Sequence, residues 1–338
     1  MAESLIFFGL VMILAMIFSF TNGFHDTANS IATVIATRVL TPRQAILSAA
    51  VLNFAGALSG TAVAATVGKG IVDPKAVTQE VILAALAGAI AWNFITWYFG
   101  IPTSSSHALI GGLVGAGMAF QGSGILNRAG LESVILSLAV SPVVGFVFGF
   151  ILMIVILWLV FRQSPHVVNE HFRRLQLLSS AFMSFSHGSN DAQKTMGIMT
   201  LSLYSYGIIK SFEVPFWVIV LSAIAMAAGT SAGGWRIIKT MGHKIIKLEP
   251  IHGFAAETAA ATVIQIASHF GLPVSTTHVI SGSIMGVGAS RRLSAVRWGV
   301  AGNMLVAWVL TIPASGAMAW LLYEGISAVQ SAVTAGSL

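Results

Sequence analysis

Two polar motifs each occur twice in this chain, and every copy lies inside apolar sequence. GFHDTAN at Gly23 to Asn29 returns as GSNDAQK at Gly188 to Lys194, and IPTSSSH at Ile101 to His107 returns as LPVSTTH at Leu272 to His278. Asp26 and Asp191 are 165 positions apart, whereas Pro102/Pro273, Ser104/Ser275, Ser105/Thr276, Ser106/Thr277, His107/His278, Gly111/Gly282 and Gly115/Gly286 are all 171 apart. Chance similarity between apolar stretches would yield Leu and Ala identities, not Pro, Ser, Thr, His and Gly. The chain is therefore read as two equivalent halves. Each half puts a carboxylate and a hydroxyl cluster where burial of a charge costs several kcal/mol unless a partner or ligand compensates it. Such residues point to a ligand.

The solvent follows from composition. Of 338 residues, 56% are hydrophobic and 8% charged, against roughly 25% charged in a soluble domain. Apolar runs of membrane-spanning length recur, among them Ser4 to Phe20, Val81 to Phe99 and Leu131 to Phe161,. The expected fold is an all-α polytopic membrane protein with about 10–12 transmembrane segments, some of them broken or re-entrant. A β-barrel would need short alternating strands instead. The 34 glycines suit close helix packing in lipid,. The first apolar segment follows Met-Ala-Glu-Ser without a basic flank or a small-residue cleavage site, and is read as retained rather than as a signal peptide,. With no Cys, disulfides and thiolate metal sites are excluded,. No cofactor is expected.

A net charge of +6 raises the question of nucleic acid, and the placement of the basic residues answers it. Crossings are expected at about residues 4–37, 44–67, 81–99, 101–118, 131–161, 175–205, 214–233, 250–270, 272–290 and 297–323. Arg38, Arg43, Arg162, Arg173, Arg174, Arg236, Lys239, Lys244, Lys247, Arg291, Arg292 and Arg297 then fall on one side, and Lys69, Lys75, Arg128 and Lys210 on the other. Charges sorted in this way orient a membrane protein, so no nucleic-acid partner is expected. The first side is cytoplasmic, and both termini are extracytoplasmic in the cell (inner) membrane. Five crossings per half is odd, so the halves run in opposite directions through the lipid bilayer. This gives an inverted repeat: 1–163 as the first copy, 164–174 as a cytoplasmic connecting loop and 175–338 as the second copy,.

In the second motif, a Pro opens a helical run and hydroxyl residues occupy its first turn. Free backbone N–H groups and side-chain hydroxyls then point the same way, which makes an anion site. Thr103, Ser104, Ser105 and Ser106 in one half, with Ser275, Thr276 and Thr277 in the other, could cradle a tetrahedral oxyanion from two sides without any Arg,. Ordinary N-capping is the competing reading. The first motif supplies the opposite charge through Asn22, Asp26, Asn29, Asn190 and Asp191. Its Gly and polar residues are expected to unwind the helix locally and free backbone carbonyls. Carboxylate, amide oxygen and carbonyl suit a proton or a hard monovalent cation, with Asp26 and Asp191 as the ligands of Na+ if sodium is the driver. Lys194 stands at the position of Asn29, where it either pairs with Asp191 or meets ligand directly. His107 and His278 close the hydroxyl clusters and are further candidates. So is Glu257, a carboxylate in an apolar span whose counterpart is Leu86,.

At these residues the chain resembles the inorganic phosphate transporter (PiT) family of secondary carriers. The family's duplicated signature, close to GANDVANA, is matched by GFHDTANS and GSNDAQKT. Its WNxxTWYxGxPxSSSH stretch is matched by Trp92, Asn93, Thr96, Trp97, Tyr98, Gly100, Pro102 and Ser104 to His107, and HGFAAETAAA with GLPVSTTH extends the similarity through the second half. Phe24-His25 replaces the usual small residue and Asn, and Asn53 stands where eukaryotic members carry Glu. The short central segment, Arg162 to Arg174, is like that of bacterial and archaeal members. The resemblance implies a secondary active transporter importing inorganic phosphate by symport with Na+ or H+, by alternating access around a midplane site. It implies essential motif Asp residues and phosphate held by the Ser/Thr clusters. A homodimer is compatible with the sequence. A sulfate carrier is the alternative within transport. An intramembrane hydrolase using Ser, His and Asp lacks a GxSxG elbow and would not need two symmetric Ser-His pairs, and a passive channel would conduct without coupling.

Overall fold

Helix boundaries in this chain are written by its Thr, Ser, Pro and Gly residues. The computed structural model describes residues 2–336, and among these nearly all are helical, with one isolated bridge between Val72 and Leu126 and no named strand. α1 (Ala2–Ala36) is followed by α2 (Pro42–Ala57), whose Thr41 side chain accepts from the Gln44 N–H in a capping box, with Pro42 at the first helical position,. α3 (Ala62–Gly70), α4 (Gln79–Phe99), α5 (Ser105–Gln121) and α6 (Arg128–Val160) complete the first half. Gly100, at φ 66°, ends α4 in the left-handed region that favours glycine,. The second half repeats the order with α7 (Pro165–Ser205), α8 (Phe216–Ala232), α9 (Trp235–His243), α10 (Pro250–His269), α11 (Thr276–Arg291) and α12 (Trp298–Gly336). The duplication extends to the bends: α2 and α3 meet at 72°, and α8 and α9 at 71°.

The equivalent helices α1 and α7 run antiparallel. At one end of the pair Phe8 stacks on Tyr206, ring centroids 4.8 Å apart. At the other, Thr37 donates to Gln176 at 2.9 Å and Arg173 reaches the Arg38 carbonyl. Each helix then packs on the bent pair of the other half, through the same contact made twice. A Cβ on Gly56 of α2 would stand 2.0 Å from the Phe185 carbonyl oxygen of α7, and one on Gly229 of α8 would stand 2.0 Å from that of Phe20 in α1. Backbones this close need glycine at both contacts. The crossed pattern continues outward, with α5 on α12 and α6 on α11.

The basic residues sort by end. Arg38, Arg291 and the α6–α7 junction line one cavity, Lys247, Arg292 and Arg297 an adjoining one, and Lys69, Lys75 and Lys210 line a third beside Tyr204 at the opposite end. Gln330 near the end of α12 bonds Glu80, and Phe120 packs on Tyr323, so α12 finishes at the end where α1 begins. Among the described residues five helices, α1, α4, α5, α6 and α12, are long and apolar enough to cross a membrane, or up to seven spans if each bent pair counts as one. Ten crossings were expected. α7 and α10 fall outside the five because they carry many polar residues, and α11 because it is only 16 residues long. The stretch expected as a loop at 164–174 is instead the start of α7: Pro165 opens the helix and an Arg174–Glu170 pair at 3.3 Å braces its first turns, leaving only 161–164 as connection,. Two apolar clusters, one around Phe18, Leu86 and Leu201 and the other around Ile31, Met183 and Ile264, lie on either side of the polar centre.

Candidate functional site

Four helices, α1, α5, α7 and α11, bring the four motif copies to one place. Ser104 and Ser275 start α5 and α11 in the same way, each side chain accepting from a backbone N–H three residues on, His107 and His278, at 3.2 Å. Both clusters follow an extended, non-helical stretch, so the first-turn N–H groups of both helices lack intrahelical acceptors,. Asp26 and Asp191 rise from α1 and α7. One Asp26 oxygen takes the Ser105 hydroxyl at 2.7 Å while the other lies 2.6 Å from His25 Nδ1, whose Nε2 reaches Thr96 at 3.1 Å. Asp191 takes the Thr276 hydroxyl at 3.0 Å, lies 3.1 Å from His187 Nε2, and pairs with the Lys194 ammonium. Donor atoms from Asp26, His187 and Asp191 lie within 4.8 Å of one another, a compact set that could hold a cation.

Contacts cross between the halves. Asn29 of α1 donates to Thr276 at 3.2 Å and Thr277 at 3.0 Å on α11, and Asn22 reaches the Asp191 carbonyl at 3.5 Å while accepting from Ser105 at 2.7 Å. Ser106 reaches the Val274 carbonyl at 3.5 Å. The Thr103 hydroxyl, Asn29 Oδ1, Asn190 Oδ1, His107 Nδ1 and His278 Nε2 are buried without a hydrogen-bond partner, polar capacity that a bound ligand would use,. The His107 and His278 rings meet at 4.5 Å between the half-helices, with Trp308 stacked on His278 at 3.9 Å.

Two expectations are revised. α1 and α7 stay helical through Asp26 and Asp191, so the first motif is not unwound. Its glycines serve packing: a Cβ at Gly23 would lie 2.2 Å from the Met226 carbonyl oxygen, and one at Gly188 2.2 Å from that of Asn53. The carbonyls freed from helix come from the stretches before α5 and α11 instead. Asn190 uses its amide nitrogen on Ser268 at 2.9 Å, which leaves only its Oδ1 without a partner. Glu257 sits in a cluster of its own, fully buried, accepting from Thr33 at 2.5 Å, Gln176 at 3.0 Å and Ser179 at 2.5 Å. Thr33, Gln176 and Ser179 were not singled out from the sequence. A Gln and a Ser three apart on one face of an apolar helix were the available signal. Asn53 joins the site through His187 Nδ1 at 3.0 Å and holds Thr230 at 3.0 Å with its amide.

A doubled, buried set of carboxylates, amides and hydroxyls between two antiparallel halves of a polytopic helical protein belongs to a membrane transporter rather than an enzyme. The chain belongs to the phosphate transporter family: the family model matches residues 22–319. It is 53% identical over 317 residues to a probable low-affinity inorganic phosphate transporter of Rhizobium meliloti, covering 93% of this chain and 95% of that protein. A protein of Bacillus subtilis with the same description is 50% identical over 318 residues, with 93% and 95% covered. A solved structure described as the sodium-dependent phosphate transporter superposes with a TM-score of 0.89 at 29% identity, over 96% of this chain and 99% of that one.

Proposed function

We propose that this integral membrane protein imports inorganic phosphate by symport with Na+ or H+, alternating access around the centre where the motifs converge. The observation that carries the reading is the crossing of contacts: Asp26 bonds Ser105 of its own half while Asn29, one helical turn on, bonds Thr276 and Thr277 of the other. Anion donors and cation ligands thus share atoms. Phosphate entering this low-dielectric centre faces a desolvation cost that an adjacent cation offsets, and the cation entering alone faces the same cost. Neither site is favourable without the other, which is what coupling requires.

In this reading Thr103, Ser104, Ser105 and Ser106 hold phosphate from one side and Ser275, Thr276 and Thr277 from the other, with Asn22, Asp26, Asn29 and Asp191 serving the cation. Asn190 supports them through Ser268. Glu257, His107 and His278 are further polar groups on the route. Residues 1–163 and 175–338 act as the two inverted copies, and 164–174 between them is the first turns of α7 rather than a loop. The end carrying Arg38, Arg291 and Arg297 faces the cytoplasm and both termini lie outside. Phosphate is favoured over sulfate because its hydroxyl can donate to Asp26 or Asp191, whereas sulfate at neutral pH has only acceptors. Radiolabelled phosphate uptake into proteoliposomes under separately imposed Na+ and pH gradients tests all of this. Uptake driven by one of the gradients is expected. Uptake no greater than in protein-free vesicles, or equal competition by sulfate, would overturn the reading.

A further inference from the structure

The two halves differ in one fixed charge at their centre. Asn29 and Lys194 occupy the same place, three residues after the motif Asp. Lys194 is 1% exposed and is, among the described residues, the one Lys or Arg in the buried interior. Its ammonium bonds an Asp191 carboxylate oxygen and, at 3.2 Å, the carbonyl of Val274, in the extended stretch before α11. A carboxylate oxygen and a main-chain carbonyl freed from helix are the donors a hard monovalent cation takes. Asp26 has no such partner. Its neighbours are the Ser105 hydroxyl and His25, and since Asp191 has a hydroxyl and a His of its own, those neighbours do not distinguish the halves.

Resting on the symport reading above, we propose that the Lys194 ammonium is the cation of the second motif, carried covalently, so that this chain takes one mobile monovalent cation fewer per phosphate than it would with Asn at 194. The charge count gives the reason. Asp26, Asp191 and Lys194 sum to one negative charge, and with a neutral residue at 194 the sum is two; the charge of phosphate adds equally to both, so the difference is one mobile cation. A tethered ammonium cannot be released with the substrate. It therefore keeps Asp191 paired while the carrier returns, and Asp26 is left as the carboxylate whose neutralisation depends on what is bound.

The test uses full-length protein in three forms: wild type, Lys194→Asn, and Asp191→Asn with Lys194→Asn. Equilibrium binding of ²²Na+ in saturating phosphate gives the sodium count, and the reversal potential in proteoliposomes gives the charge moved per phosphate. Lys194→Asn is expected to bind one more Na+ per phosphate than wild type, whichever cation drives the wild type. The double variant is expected to return to the wild-type count, although its rate should fall. A Lys194→Asn protein that binds phosphate with the wild-type sodium count would overturn the proposal. So would a double variant with one Na+ fewer than wild type, which would mean that Asp191 had been holding a mobile ion. Should Lys194→Asn not fold, the double variant decides alone, because it adds no unpaired charge to that of Asp26. Wild-type vesicles that take up no phosphate would instead overturn the proposed function, and this inference with it.

Discussion

The two halves of the molecule share helix order, bend angle and glycine contacts, yet their charged residues differ. In the first half Asp26 is followed by Asn29, and the position matching Glu257 is Leu86, buried in an apolar cluster. In the second half Asp191 is followed by Lys194, and Glu257 gathers three donors around a carboxylate. Every added charge therefore lies on one side of the repeat. The backbone is duplicated because helix starts and close approaches are properties of Pro, Ser and Gly that both copies retain. Side chains at a few positions then divide the work. The first motif has a carboxylate without an ammonium partner, and the second holds a carboxylate paired with Lys194.

The largest effect expected is all-or-none and concerns the inversion itself. The chain has no Cys, so single Cys residues report directly, and both Thr41 and Ser211, in equivalent loops, are exposed. A membrane-impermeant thiol reagent outside intact cells should label Ser211→Cys and not Thr41→Cys, with permeabilisation exposing the second. Labelling of both from outside would break the orientation. Next in size is Asp26→Asn, which removes the carboxylate without stranding a buried cation. It should lower coupled uptake by about 100-fold, equivalent to roughly 3 kcal/mol, with the protein still folded. Asp191→Asn should differ in kind. It leaves the Lys194 ammonium buried without its partner, which typically costs about 3–5 kcal/mol, so reduced thermal stability in detergent should accompany the loss of transport. Equal stability of the two variants would argue against the division of roles.

A smaller effect should follow from the hydroxyls. Ser105→Ala and Thr276→Ala each remove a hydrogen bond to a charged group, about 1.5–3 kcal/mol apiece. Apparent phosphate affinity should weaken in both, and the double variant should lose more than either single one. Because Thr276 also accepts from Asn29, its removal should disturb both halves, whereas loss of Ser105 frees only Asn22 and Asp26 of the first. Unchanged affinity would leave these residues as structural members of the first turns of α5 and α11.

Much of this arrangement was legible in the sequence, since it rests on local rules. The Pro-hydroxyl starts of α5 and α11 and the doubled Asp follow from residue type and spacing. What escaped was tertiary. Gly23 and Gly188 read as helix breakers, but each sits where a neighbouring carbonyl oxygen approaches too closely for a Cβ, so the helix continues through them. Propensity alone cannot distinguish a glycine that breaks from one that packs. The Thr33, Gln176 and Ser179 shell of Glu257 comes from two helices distant in sequence, and no spacing rule joins them. The destination of the Lys194 side chain, one of two readings at the outset, needed the position of Val274 to decide it.

The smallest predicted effect tests whether the two halves are equal where their backbones are equal. Ser104 and Ser275 make the same cap bond, 3.2 Å to the N–H three residues on. Loss of such a cap typically costs about 0.5–2 kcal/mol of helix stability. Ser104→Ala and Ser275→Ala should therefore lower the thermal midpoint in detergent by similar amounts, because neither hydroxyl touches the charged residues that distinguish the halves. Their effects on phosphate affinity should also match, since each cap orients one first turn of N–H donors toward the centre. If the Ser275 variant lost much more affinity than the Ser104 variant at equal stability, the second half-helix would carry more of the anion. The asymmetry would then extend beyond Lys194 to the phosphate itself, and the two-sided cradle would give way to a one-sided one.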